Sequence, residues 1–168
     1  MFFNFKQTVL SIVGVSGLIF AEMACASPRT AQPILPKEGL TITSPTGKAQ
    51  HFQVEMAVTS EEQEAGEMFR ETVPEDGGML FVWEAPQISH MWMRNTLVPL
   101  DMIFVSPLGR VVGIEENTVP HSERDISSSE PVKWTLELAG GSAEKNRIFV
   151  GDEVTLDKET QKKAGKAS

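Results

Sequence analysis

Residues 90–101 read HMWMRNTLVPLD and place a histidine, two thioethers, an indole, a guanidinium, an amide and a carboxylate close together. Thioether and imidazole ligands suit Cu(I), and four of the eight methionines fall between positions 79 and 102. Successive residues of a strand face opposite ways, however. Met91 and Met93 would share a face with Asn95, while His90 would join Trp92 and Arg94. That separates the soft ligands and leaves the methionines to core packing, so a copper carrier is the third-ranked reading. His51, His90 and His121 show no zinc spacing. His121, Ser122 and Glu123 are consecutive, but a catalytic triad is assembled in space, and this stretch reads as a solvated loop.

Carboxylates offer a second chemistry. Asp101, Glu115, Glu137 and Asp152 lie in or beside expected strands, and two of them across a cleft would suit glycosidic hydrolysis. Glu115 and Glu137 are expected on the solvent side of their strands. Asp101 differs, because it opens the apolar run LDMIFV. A carboxylate there is desolvated and needs donors. Arg70 is the first candidate, directly after an expected helix, with a guanidinium that can bind both oxygens. Arg94 and Asn95 are its rivals. Trp92 is large enough to anchor a core or line a pocket.

The elements that must position these residues are mostly strands. Phe52, Val54, Met56 and Val58 alternate with polar or small residues, as do Val132, Trp134, Leu136 and Leu138. Residues 78–83 and 100–105 are apolar on both faces and belong in the middle of the fold. The turn SPLG makes 100–106 and 110–116 a hairpin. Further strands fit 40–44, 88–94 and 153–156. In TSEEQEAGEMF, Ser60 with Gln63 reads as a capping box, which predicts a short helix over 61–69; a second helical turn fits SAEKN. No internal repeat is present. Seven to eight closely spaced strands with one short helix make the chain mainly β, a β-sandwich or irregular barrel.

The first 26 residues are expected to be a signal peptide. Lys6 precedes an apolar run from Val9 to Phe20, and Ala24-Cys25-Ala26 supplies the cleavage site. An uncleaved anchor is the alternative. Lipidation of Cys25 ranks lower, because Glu22 occupies a position where such signals carry an apolar residue. Cleavage removes the single cysteine, so the exported protein would fold without disulfides. Residues 27–38 read as a proline-rich linker, 39–157 as one β domain and 158–168 as a polar tail. The net charge of −8 opposes nucleic acid and anionic membrane as partners. Membrane contact is expected only through the signal peptide.

Five segments together carry a family resemblance: MFRETVPEDGGMLFVW, MWMRNTLVPLDMIFV, GRVVGIEENTVP, VKWTLELAGG and GDEV. Over about residues 50–156 the chain resembles the domain-of-unknown-function 192 family, small bacterial and archaeal proteins that are often exported. The resemblance implies a jelly-roll-like β-sandwich with a small helix. It supplies no activity. Its signature falls on Arg70, Gly78, Met79, Trp92, Met93, Asn95, Thr96, Pro99, Asp101, Glu137, Gly141, Gly151 and Asp152, and leaves out His90 and His121.

The resulting expectation is a periplasmic or secreted domain that binds a small ligand or envelope component through Arg70, Trp92, Asn95 and Asp101, with no metal or cofactor. A carboxylate hydrolase acting on saccharide or envelope material is the alternative. Intact-mass measurement of the protein from an exporting host is expected to give a chain starting at Ser27. A retained leader, or a lipid on Cys25, would contradict that cleavage.

Overall fold

A computed structural model describes residues 30–157. The signal segment and the polar tail lie outside the described residues. Residues 30–36 have no regular structure but are tied to the domain: Gln32 Nε2 donates to the Glu62 and Gly66 carbonyls, and Leu35 N–H to Glu55.

Nine strands and two short helices follow: β1 (Lys37–Thr43), β2 (Ala49–Ala57), α1 (Ser60–Ala65), β3 (Gly77–Gln87), β4 (His90–Met91), β5 (Leu100–Val105), β6 (Val111–Glu115), β7 (Ile126–Ser127), β8 (Val132–Ala139), α2 (Ser142–Asn146) and β9 (Glu153–Leu156). Seven strands form one sheet in the order β6-β5-β8-β3-β2-β1-β9, and β4 pairs with β7 in a small ribbon. Within the large sheet only β2 and β3 run parallel. A parallel pair needs a crossover, and residues 58–76, with α1, provide it. The expected hairpin is β5–β6.

The sheet curls on itself. Val111 N–H donates to the Asp152 carbonyl at 2.9 Å, Gly151 N–H to Val111 at 2.8 Å, and Val154 N–H to Gly109 at 2.7 Å. These bonds join the two outermost strands, so the fold is the irregular barrel of the two expected forms. Its interior takes alternate residues from all seven strands, including Leu40, Val54, Leu80, Ile103, Val111, Leu136 and Val154. Ala143 and Ile148, on and just after α2, close one end. A second core covers the outside of β3, β5 and β8, where Met79, Phe81, Met102 and Phe104 pack against Met91, Met93 and Ile126. The central strands are therefore apolar on both faces, as their sequence required.

Two local expectations are corrected. The helix cap lies one residue earlier than Ser60: Thr59 Oγ1 accepts from Glu62 N–H, and the Glu62 carboxylate accepts from Val58 and Thr59 N–H. The helix then stops at Ala65 rather than 69, where Gly66 turns with φ +46°. The strand expected over 88–94 shrinks to two residues. Met93 N–H leaves for the Ser122 carbonyl, and Asn95 takes a left-handed φ of 58°.

Asp101 shares the interior face with Ile103 and Val105 and is fully buried. Its Oδ1 accepts from Asn117 N–H at 2.8 Å and Gly141 N–H at 3.1 Å, and its Oδ2 from Ala143 N–H at 2.7 Å. No arginine takes part, which corrects the expected Arg70 pairing. The donors belong to main chain, so the carboxylate pins the loop after β6 and the start of α2 to β5. Asp101→Asn sets an amide N–H₂ against at least one of these donors. It is expected to cost about 2–3 kcal/mol. Urea unfolding checks this; a midpoint within error of the parent would refute the anchoring role.

Candidate functional site

Arg70 lies on the opposite side of the sheet from Asp101. Its Nη1 and Nη2 bind the two oxygens of Glu55 at 2.7 Å each. Glu55 sits on β2 and faces outward, because its neighbours Val54 and Met56 face the interior. Burial alone would raise its pKa, but the Arg70 bonds and the Leu35 N–H outweigh burial and lower it.

Glu67 follows the helix-ending Gly66. Its Oε2 lies 3.3 Å from Arg70 Nε, an ion pair whose angle makes no hydrogen bond, and among the described residues that buried oxygen has no hydrogen-bond partner. Desolvation, only partly offset by Arg70 and reinforced by Glu55, raises its pKa to about 7. Glu137 lies between the interior residues Leu136 and Leu138, so it too faces outward, into the second core. It is only 3% exposed. Burial first, and the charge of Glu67 second, push its pKa well above the ordinary carboxyl range. Among the described residues its carboxyl makes no hydrogen bond.

Glu67 and Glu137 line one small cleft with an interior volume of about 30 Å³. Gln63, Glu64, Met68, Phe81, Met91, Trp92 and Thr96 form most of the remaining wall. The two sides of the cleft, 63–68 and 91–96, are joined behind it by Phe69 N–H donating to the Asn95 carbonyl at 2.9 Å. Gln63 Nε2 binds the Val82 carbonyl and fixes α1 against β3. Trp92 remains 45% exposed at the rim, with the Arg94 guanidinium 4.2 Å above its ring.

Of the four residues expected to form a site, Trp92 lines the cleft. Arg70 stands behind it, bound to Glu55 and beside Glu67. Asn95 supplies a backbone tie, and its amide reaches Met68 Sδ at 3.8 Å. Asp101 lies elsewhere, on the interior face. The expected solvent-side Glu137 is instead buried; Glu115 is at the surface, paired with Arg124. Asp152 is buried and accepts from Phe149 N–H, a structural duty. Glu67 does not stand out in the sequence because the helix expected over 61–69 runs across it; Gly66 just before it is the available signal. His90 is exposed and binds Asp125, while Met91 and Met93 are buried, so the expected separation of faces is observed. No cluster of three His, Cys, Asp or Glu side chains suited to a metal occurs among the described residues.

The fold and site define a small, mainly β barrel with an acidic, apolar-walled cleft on its outer face. The chain belongs to the domain-of-unknown-function 192 family (DUF192, an uncharacterized ACR), whose profile matches residues 41–156. Two crystal structures share the fold. One is a protein of Sinorhizobium meliloti 1021 described as a candidate transcription regulator, with 37% identity and a TM-score of 0.72 over 74% of this chain and 97% of that one. The other is a protein of unknown function from Novosphingobium aromaticivorans DSM 12444, with 38% identity and a TM-score of 0.70 over 78% and 94%. No curated protein matches the chain.

The raised pKa of Glu67 fixes a pH dependence. Below its unfolded value of 4.5 the group is protonated in both states and contributes nothing. Between 4.5 and about 7 the folded protein holds more protons, so stability from this group falls as pH rises. The full penalty, about 3 kcal/mol, is present above pH 7. Glu67→Gln is therefore expected to match the parent near pH 4.5 and exceed it in stability above pH 7. Denaturant melts across that range test this, and a parallel pair of pH curves would rule it out.

Proposed function

We propose that the protein is an exported binding domain whose small-ligand site is the cleft between Glu67 and Glu137. The observation that carries the reading is a pair of buried carboxyl groups lining one cleft, with neither the Glu137 carboxyl nor Glu67 Oε2 hydrogen-bonded among the described residues. Buried polar groups are normally satisfied, and an exception in a native structure points to a bound water or ion, to strain or to a functional role; at a concave surface the functional role is binding. The expected ligand residues are revised accordingly: Trp92 stays, Glu67 and Glu137 join it, Arg70 and Asn95 support them, and Asp101 is structural.

A second reading, acid–base hydrolysis of saccharide or envelope material, is favoured by one observation. Glu67 is held near pKa 7, the range of a carboxyl that both gives and takes protons at neutral pH. Direct regulation of transcription is not carried over from the Sinorhizobium protein, because a net charge of −8 repels DNA phosphates.

Screening a library of small polar fragments by protein-observed NMR separates these readings from none. Ligands are expected to shift the signals of Glu67, Met68, Trp92 and Glu137 together, and Trp92→Ala to weaken binding about tenfold. Turnover of an aryl glycoside that disappears in Glu67→Gln would select the hydrolase. Shifts confined to other faces of the barrel would sink both.

A further inference from the structure

The geometry points to a subsite for one neutral sugar ring in the surface hollow between Trp92 and residues 123–125. This hollow of about 200 Å³ is lined by His90, Met91, Trp92, Glu123 and Asp125. It borders the Glu67–Glu137 cleft and shares Met91 and Trp92 with it, but neither of its buried carboxyls. It is therefore a second site, which stands or falls on its own.

Main chain holds its walls. β4 pairs with β7 in the register His90↔Ser127 and Met91↔Ile126, which brings residues 123–125 alongside 90–92. Ser128 N–H donates to the Ser89 carbonyl at 3.0 Å beyond one end of that ribbon, and Met93 N–H to the Ser122 carbonyl at 2.8 Å beyond the other. Trp92 stays 45% exposed, and the Arg94 guanidinium, 4.2 Å from the ring centroid, fixes the plane of the indole. An exposed tryptophan held in one orientation offers a flat apolar platform.

The lining selects its ligand by exclusion. Glu123 and Asp125 stand against one imidazole, which opposes phosphates and carboxylates. A cation has no better claim, because a second positive charge on the Trp92 ring meets the guanidinium already stacked there. His90, Glu123 and Asp125 do not close into a set suited to a metal. A wholly apolar ligand strips water from two carboxylates and gives them no donor. A neutral ring rich in hydroxyls meets every condition. Its C–H face covers the indole, and its hydroxyls donate to carboxylate oxygens. Glu123 has no ion pair among the described residues. His90 meets Asp125 through Nδ1 at 3.0 Å, so its Nε2 is left for a hydroxyl. About 200 Å³ lies below the roughly 300–1,000 Å³ of drug-sized pockets, which suits one ring of a longer saccharide.

The test titrates the full chain with methyl glucoside and with three matched rings: glucuronate as the anion, glucosamine as the cation and cyclohexanol as the ring without its hydroxyls. Protein-observed NMR follows His90, Trp92, Glu123 and Asp125 for the hollow, and Glu67 and Glu137 for the cleft. The glucoside is expected to move the hollow signals together with a Kd of order 1–10 mM, as befits one ring on an open surface. It is expected to bind about threefold or more tighter than each of the other three rings. Trp92→Ala is expected to weaken it about tenfold. Glu123→Ala, a change at an exposed position, is expected to weaken it about fivefold and keeps the test valid if the tryptophan variant fails to fold. Preferential binding of glucuronate, glucosamine or cyclohexanol overturns the neutral sugar. Hollow signals that stay still up to about 0.1 M glucoside overturn the subsite. A glucoside that moves Glu67 and Glu137 but not His90, Glu123 and Asp125 also overturns it, while supporting the cleft.

Discussion

Three main-chain N–H groups converge on one carboxylate, and the closed end of the barrel depends on that arrangement. Asp101 takes them from Asn117, Gly141 and Ala143, residues that meet only at this point. A buried carboxylate is costly without donors, and the donors of a turn and of a first helical turn are unpaired without an acceptor. Each side meets the other's need. The helix α2 is too short to be stable alone; seated by Asp101 and by Ala143 in the core, it covers the interior. Gly141 makes the turn into it with φ +83°, a left-handed value that glycine adopts without strain.

Covering the sheet on its outer face creates the opposite problem. One cross-strand row runs Glu55, Met79, Glu137, Met102, Glu115 over β2, β3, β8, β5 and β6. The flanking glutamates have cations, Arg70 for Glu55 and Arg124 for Glu115. The central one has none and lies between two fully buried methionines. The backbone at Glu137 packs closely on β3: a Cβ added at Gly78 would collide with the Glu137 carbonyl oxygen. A carboxyl held in this way violates the rule that governs the rest of the molecule, and such violations concentrate at functional sites.

Much of the barrel was legible because period-two alternation reports burial directly. The patterns at 52–58 and 132–138, the apolar runs at 78–83 and 100–105, and the SPLG turn each correspond to an observed element. The site was less legible for a specific reason. Alternation places Glu137 opposite Leu136 and Leu138, which reads as solvent unless a second layer covers that face. The covering segments, 91–100 and the strand at Ile126, carry no signal that says where they pack. Asp101's partners were unreadable on other grounds: backbone N–H groups occur at nearly every residue, so sequence points to arginine and structure to the main chain. Arg70 is expected from the sequence to pair with Asp101, but its partner is Glu55 on β2, placed there by a parallel pairing with β3 that no local pattern announces.

The division of labour between carboxylates follows from what each one faces. Asp101 and Asp152 face turns, whose fixed N–H groups supply donors at no entropic cost in side chains. Glu55 faces a long guanidinium held by two carboxylates. Glu67 and Glu137 face a cleft whose walls are tied together behind them, by Phe69 to Asn95 and by Gln32 to the ends of α1. Those ties keep the walls in place without using either carboxyl. The framework thus holds the cleft walls by main-chain and amide ties, engages Glu67 only through its ion pair with Arg70 and leaves the Glu137 carboxyl out of its hydrogen bonding, so the walls stay in place whatever the protonation state of Glu137.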